Sequence, residues 1–74
     1  MISKQKVQKD LGNRLREIRE SKGLSLRDIE AHDESIDSAQ LSRFENGEKI
    51  PMIYTLYKLA AILKVNVRDF FPES

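Results

Sequence analysis

The sequence has no cysteine and no tryptophan, and only one histidine, three glycines and two prolines among its 74 residues. Without cysteine there is no disulfide framework and no thiolate metal site, a composition that suits a reducing compartment. The single histidine, His32, sits in an acidic stretch and reads as a solvated side chain. No metal site and no cofactor are expected. No glycine-rich phosphate loop, repeat or low-complexity tract occurs. No apolar run approaches membrane-spanning length, and no charged–apolar–small signal pattern opens the chain, so neither a membrane partner nor export is expected. The chain offers no histidine-paired nucleophile and no thiol, and it is too small for a convincing catalytic cleft. It is therefore not expected to be an enzyme.

What remains is a chain rich in charge but nearly neutral, at net +1 with 34% charged residues. Its length makes one small domain with a modest core, near the size at which dimerisation aids stability. No room is left for an effector-sensing domain, so no small-molecule ligand is expected. The charge is unevenly spread. Residues 1–27 carry eight Lys/Arg against three Asp/Glu, residues 28–48 one arginine against seven acids, and residues 49–74 four bases against two acids. A basic first third suits phosphate contact, and an acidic centre opposes it.

Periodicity predicts helices and no strand. Leu11, Leu15 and Ile18 recur at helical spacing in a first helix from about Val7 to Lys22, which Gly23 ends. Ser25 with Asp28 forms a capping box for a second helix anchored by Ile29. His32–Ile36 is polar and acidic and reads as a turn, after which Asp37 or Ser38 caps a third helix. Beyond Pro51 a fourth helix turns Leu56, Leu59, Ala60 and Leu63 inward. Asn66, with Asp69 three residues on, opens a short fifth helix holding Val67, Phe70 and Phe71. The expected layout is a basic tail over residues 1–8, one domain over 9–71 and a short tail over 72–74. Helices this short are marginal alone and must share one core.

The stretch Gln40-Leu41-Ser42-Arg43-Phe44-Glu45-Asn46-Gly47, closed by Pro51, is the most informative. Leu41 and Phe44 lie on one face, Gly47 supplies a left-handed stop and Pro51 bars continuation. Small and polar groups with one arginine, displayed on a rigid short helix, suit a DNA major groove.

Leu11-Gly12 with Arg16, Arg19, Gly23-Leu24-Ser25 and Ile29, then Leu41 through Pro51, Thr55-Leu56, Leu59-Ala60, Leu63 and Val65-Asn66-Val67, resembles the Xre/Cro-like helix-turn-helix family of small phage and bacterial DNA-binding repressors. The likeness covers roughly residues 9–71, and its landmarks fall in order. It implies a compact five-helix, all-α, lambda-repressor-like domain, with the second and third helices as the motif. It also implies a cytoplasmic protein, bacterial or phage-encoded and nucleoid-associated when bound. In that family the third helix enters the major groove, and a symmetric dimer reads two half-sites of a palindromic operator about 34 Å apart.

With Leu41 and Phe44 inward, a 100° step per residue puts Ala39, Ser42, Arg43 and Asn46 on the opposite face. The resemblance makes Arg43 the candidate for guanine through O6 and N7, and Ala39 for a thymine methyl. Ser38, Gln40 and Ser42 are the other candidate base contacts, with simple solvation the alternative for Gln40. Asn46 and Lys49, at and beyond the helix end, and Arg27, in the first turn of the second helix, are the candidate phosphate contacts. Arg19 and Glu45 are implied to pair as a clamp between the first and third helices. Phe71, about 100° from Phe70 on a short helix, is the candidate homodimer contact.

Three features depart from the family pattern. Leu26 and Glu30 replace a usual glutamine and a usual small residue, and the interval from Ile29 to Leu41 is one residue longer, without the usual turn glycine. Asp33, Glu34 and Asp37 in that interval repel phosphates wherever they face DNA. Two functions follow: a sequence-specific, repressor-like, homodimeric transcription regulator, or a helix-turn-helix fold used as a protein-interaction or antitoxin-like module with weak DNA affinity.

Overall fold

Leu11, Leu15 and Ile18 are buried along one stripe of an 18-residue helix, α1 (Lys4–Ser21). This is the first element in a computed structural model that describes residues 2–71. α1 begins three residues before the expected Val7, because the Ser3 side chain accepts the Lys6 N–H at 3.0 Å and caps it. The basic residues expected as a tail are therefore helical from Lys4 onward. There follow α2 (Leu26–His32), α3 (Ser38–Glu45) and α4 (Ile53–Leu63), and the described residues contain no strand. Ile29, Leu41, Phe44, Leu56, Leu59 and Leu63 meet the α1 stripe in one core. No helix among the described residues is long and apolar enough to cross a membrane.

The five-helix expectation is corrected at its last member. Val67–Phe70 is a four-residue 3₁₀ turn, so the domain has four α-helices and one such turn. Asp69 closes on Asn66 twice, its N–H donating to the Asn66 carbonyl at 2.9 Å and its carboxylate accepting the Asn66 N–H at 3.0 Å. Those bonds span one turn only. Phe71 then takes an extended backbone, φ −109° and ψ 126°, as suits a residue before proline. Phe70 is nonetheless fully buried, with Val67 packed beside it. Arg14 ties the turn to α1 by donating Nε to the Asp69 carbonyl at 2.7 Å. The expected tail over residues 72–74 lies outside the described residues.

Three helices end on the same kind of bond. The N–H groups of Leu24, Glu48 and Val65 reach back five residues to Arg19, Arg43 and Ala60, and a left-handed residue precedes each of them. At α1 and α3 that residue is Gly23 or Gly47, with φ +71° and +76°. At α4 it is Lys64, with φ 59° and ψ 46°.

Candidate nucleic-acid interface

α2, a turn and α3 form the helix-turn-helix unit, and the lengthened turn is held by side-chain bonds rather than by glycine. The Asp33 carboxylate accepts the Ser35 N–H at 2.9 Å and the Ser35 hydroxyl at 2.6 Å. Lys58 of α4 closes on the same pair, 3.3 Å from the Asp33 carboxylate and hydrogen-bonded to the Ser35 hydroxyl. The Ser35 hydroxyl, then its backbone N–H, then Lys58 hold the Asp33 carboxyl below the ordinary aspartate range. Asp37 caps α3 by accepting the Ala39 N–H at 3.1 Å. Of the three turn acids, two are therefore engaged within the fold, and Glu34 stays exposed. Ile36, within the stretch read as a polar turn, is only 2% exposed and belongs to the core.

α2 starts at a reciprocal capping box. Asp28 accepts the Ser25 N–H at 2.8 Å, and the Ser25 hydroxyl accepts the Asp28 N–H at 3.0 Å. The first of these bonds does most to lower the Asp28 pKa. Leu26 packs part-buried against the core.

On α3, Leu41, Phe44 and Glu45 are buried, while Ala39 and Arg43 are exposed and Ser38, Gln40 and Ser42 are half-buried. Asn46, which ends the helix, and Lys49 beyond it are exposed. Arg27 is exposed on α2 and shares a shallow groove with Ser38, Glu30 and Glu34. The two arms of the motif thus meet where two glutamates flank one arginine.

α3 is fixed to α1 by close approach and by charge. A Cβ on Gly12 would collide with the carbonyl oxygens of Phe44 and Glu45, the latter at 2.7 Å, so only glycine lets the two backbones touch there. Arg19 donates Nε and Nη2 to the two Glu45 carboxylate oxygens at 2.6 and 2.9 Å, and Nη1 to the Leu24 carbonyl at 2.8 Å. These two side chains are 12% and 4% exposed. The Glu45 hydrogen bond raises the already high Arg19 pKa.

Two further residues join the site without having been assigned a role from sequence. Arg16 lies 3.4 Å from Glu45 and donates Nη2 to the Asn46 side-chain oxygen at 2.8 Å. A guanidinium only donates, so the Asn46 amide oxygen faces Arg16, and its amino group has no hydrogen-bond partner among the described residues. Arg16 lies one turn before Arg19 on the same face of α1, a spacing that could have revealed it. Lys9 is the second. Its Cα would lie 3.1 Å from a Cβ on Gly47, so the α1 backbone flanks the end of α3. Phe71, the expected dimer contact, is 45% exposed beside the buried Phe70.

Among the described residues no cluster of His, Cys, Asp or Glu could hold a metal ion. A model of the helix-turn-helix domain family matches residues 12–71. The crystal structure of the DNA-binding domain of BldD is similar, with a TM-score of 0.84 at 29% identity, covering 96% of this chain and 100% of that one. No protein of curated function matches the sequence.

Proposed function

This chain belongs to the helix-turn-helix domain family, of the Xre/Cro-like type, and from that premise we propose that it is a DNA-binding transcription regulator acting as a homodimeric repressor. α3 lies in the major groove of double-stranded DNA, and the two copies read the halves of a palindromic operator. One observation carries the reading: the exposed α3 face of Ala39 and Arg43, with Asn46 at its end, stands on a helix that Arg16 and Arg19 fix through Glu45 and Asn46. A helix so held presents side chains at a set depth and angle, which base recognition requires.

In this arrangement Arg43 reaches guanine, and Ser38, Ala39, Gln40 and Ser42 complete the base-edge contacts. The free amino group of Asn46, with Lys49 and Arg27, holds phosphates. The likeness to a DNA-binding domain supports the partner. Such a regulator works in the cytoplasm, where the operator is.

A second reading, a protein-interaction module with weak DNA affinity, is favoured by Glu30 and Glu34 beside Arg27 and Ser38. A salt titration of binding to palindromic and random duplexes separates the two. The DNA reading expects one palindrome bound at least about a thousandfold tighter than random sequence, with affinity falling steeply as salt rises. Equal, weak binding to all duplexes overturns it in favour of the second reading.

A further inference from the structure

Seven large apolar side chains are exposed among the described residues, and five of them fall between positions 50 and 57. They are Ile50, Met52, Ile53, Tyr54 and Tyr57, at 39% to 73% exposure. Ile53, Tyr54 and Tyr57 share one face of α4 by helical spacing, with exposed Ala61 continuing it, opposite the buried Leu56, Leu59 and Leu63. Lys58 lies 4.9 Å from the centre of the Tyr54 ring. It is also tied to Asp33, so the ring is braced where it stands. This helix is apolar on two sides, and the core accounts for only one of them.

We propose that the outer face of α4 and the segment leading into it, from Ile50 to Tyr57, form the surface through which a second copy of this chain docks. The inference deepens the homodimer reading above and rests on it. Three considerations select this occupant.

The first is area. Taking roughly 150–250 Å² per large side chain, these exposures amount to on the order of 600 Å² of apolar surface. That is about the largest patch an ordinary monomer leaves open, and with a rim added it approaches the roughly 800 Å² per partner of a standard interface. Phe71 offers a single ring by comparison.

The second is position. Ile50 follows the last residue of α3 by five residues, which span at most about 18 Å. A two-fold contact at Ile50 therefore lies beside the end of α3 in each copy.

The third is chemistry. No charged side chain lies between Ile50 and Tyr57, so two copies can bring these segments together without burying an unpaired charge. DNA is the poorer occupant, because phosphates would lose hydration against the apolar side chains of Met52 and Ile53, which offer no donor to replace it.

Sedimentation equilibrium on the full chain tests the proposal. The unaltered chain is expected to dimerise, and Ile53→Glu and Tyr57→Ser are each expected to raise the dissociation constant at least about tenfold. Helical circular dichroism and the melting temperature should be retained, since both side chains are exposed. Phe71→Ser is the control and should leave the constant within about twofold. Binding to a single half-site duplex, which needs one copy only, should be unchanged in all three variants. A dimer that survives Ile53→Glu and Tyr57→Ser, or one that only Phe71→Ser disperses, overturns the α4 surface while leaving the homodimer intact. A chain that stays monomeric, free and on palindromic DNA, overturns the homodimer itself. If Ile53→Glu fails to fold, Tyr57→Ser and Met52→Ser decide the outcome.

Discussion

Arg19 grips Glu45 with two N–H donors, at 2.6 and 2.9 Å, across a sequence separation of 26 residues. Its third nitrogen, Nη1, donates to the carbonyl of Leu24, just past the end of α1. One guanidinium thus joins the start of the helix-turn-helix unit to the end of α3. Glu45 is the buried charged side chain of the described core, and no buried polar side-chain atom there lacks a partner.

Breaking this pair from one side is expected to be costly. Glu45→Gln should destabilise the fold by on the order of 3 kcal/mol, because it leaves Arg19 buried without its countercharge. A double-mutant cycle with Arg19→Met, read by urea denaturation, should show coupling of at least about 1 kcal/mol. Additive losses would reduce the pair to two independent charges. Arg16 also contacts Glu45, at 3.4 Å, so some of the lost interaction persists in the Arg19→Met background.

Arg43 and Lys49 should separate by the kind of DNA contact they make. Arg43→Ala is expected to weaken binding to the cognate duplex by about 1–3 kcal/mol and to relax preference at one base pair per half-site. Lys49→Ala should weaken every duplex alike and reduce the salt slope by about one unit. Electrophoretic titrations against single-base variants at two salt concentrations give the answer. Uniform losses from both substitutions would make Arg43 a phosphate contact.

Asp28 and Asp33 both have folded-state pKa values below the ordinary 3.8. A depressed carboxylate contributes stability that is complete above the unfolded value and drains away as pH falls through the folded one. Thermal stability should therefore be complete above the ordinary aspartate range and fall as pH drops through and below it. Asp33→Asn should shallow that drop, since the amide cannot titrate. Parallel pH profiles for the two proteins would show that the Asp33–Ser35–Lys58 contact contributes nothing to the acid response.

Lys64 holds a left-handed backbone in a position that glycine fills at Gly23 and Gly47. Replacing Lys64 by glycine should relieve the Cβ strain and raise stability by roughly 1 kcal/mol, less a few tenths for the more flexible unfolded chain. For a domain of this size a net gain of about half a kcal/mol corresponds to about 2–4 °C in melting temperature. A lowered melting temperature for Lys64→Gly would mean that the lysine side chain contributes more than its backbone costs.

The local signals were legible because each lies within a turn or two of chain. The capping box of Ser25 and Asp28, the glycine stops after α1 and α3, and the inward stripes of α1 and α4 are set by spacings of three and four residues. A helix forms those contacts with itself, or must hide that stripe against something. The clamp between Arg19 and Glu45 was reached by resemblance alone, since nothing local joins residues 26 apart. Ile36 shows the limit from the other side: its neighbours are polar and acidic, and only the docking of α2 on α3 turns it into the core. Lys64 as a helix stop was invisible, because lysine carries no left-handed preference and its conformation follows from where α4 must end. The links from Arg16 to Asn46 and from Lys58 to Asp33, and the apolar outer face of α4, likewise arise from how helices sit against one another. Sequence determined that the first four segments are helical and which stripe each one buries, through interactions a few residues long. The tertiary structure decided which polar side chains meet across 23 to 30 residues of chain and which apolar ones stay in water. Those outcomes depend on the packing angle and depth of whole helices, which no short stretch of chain encodes.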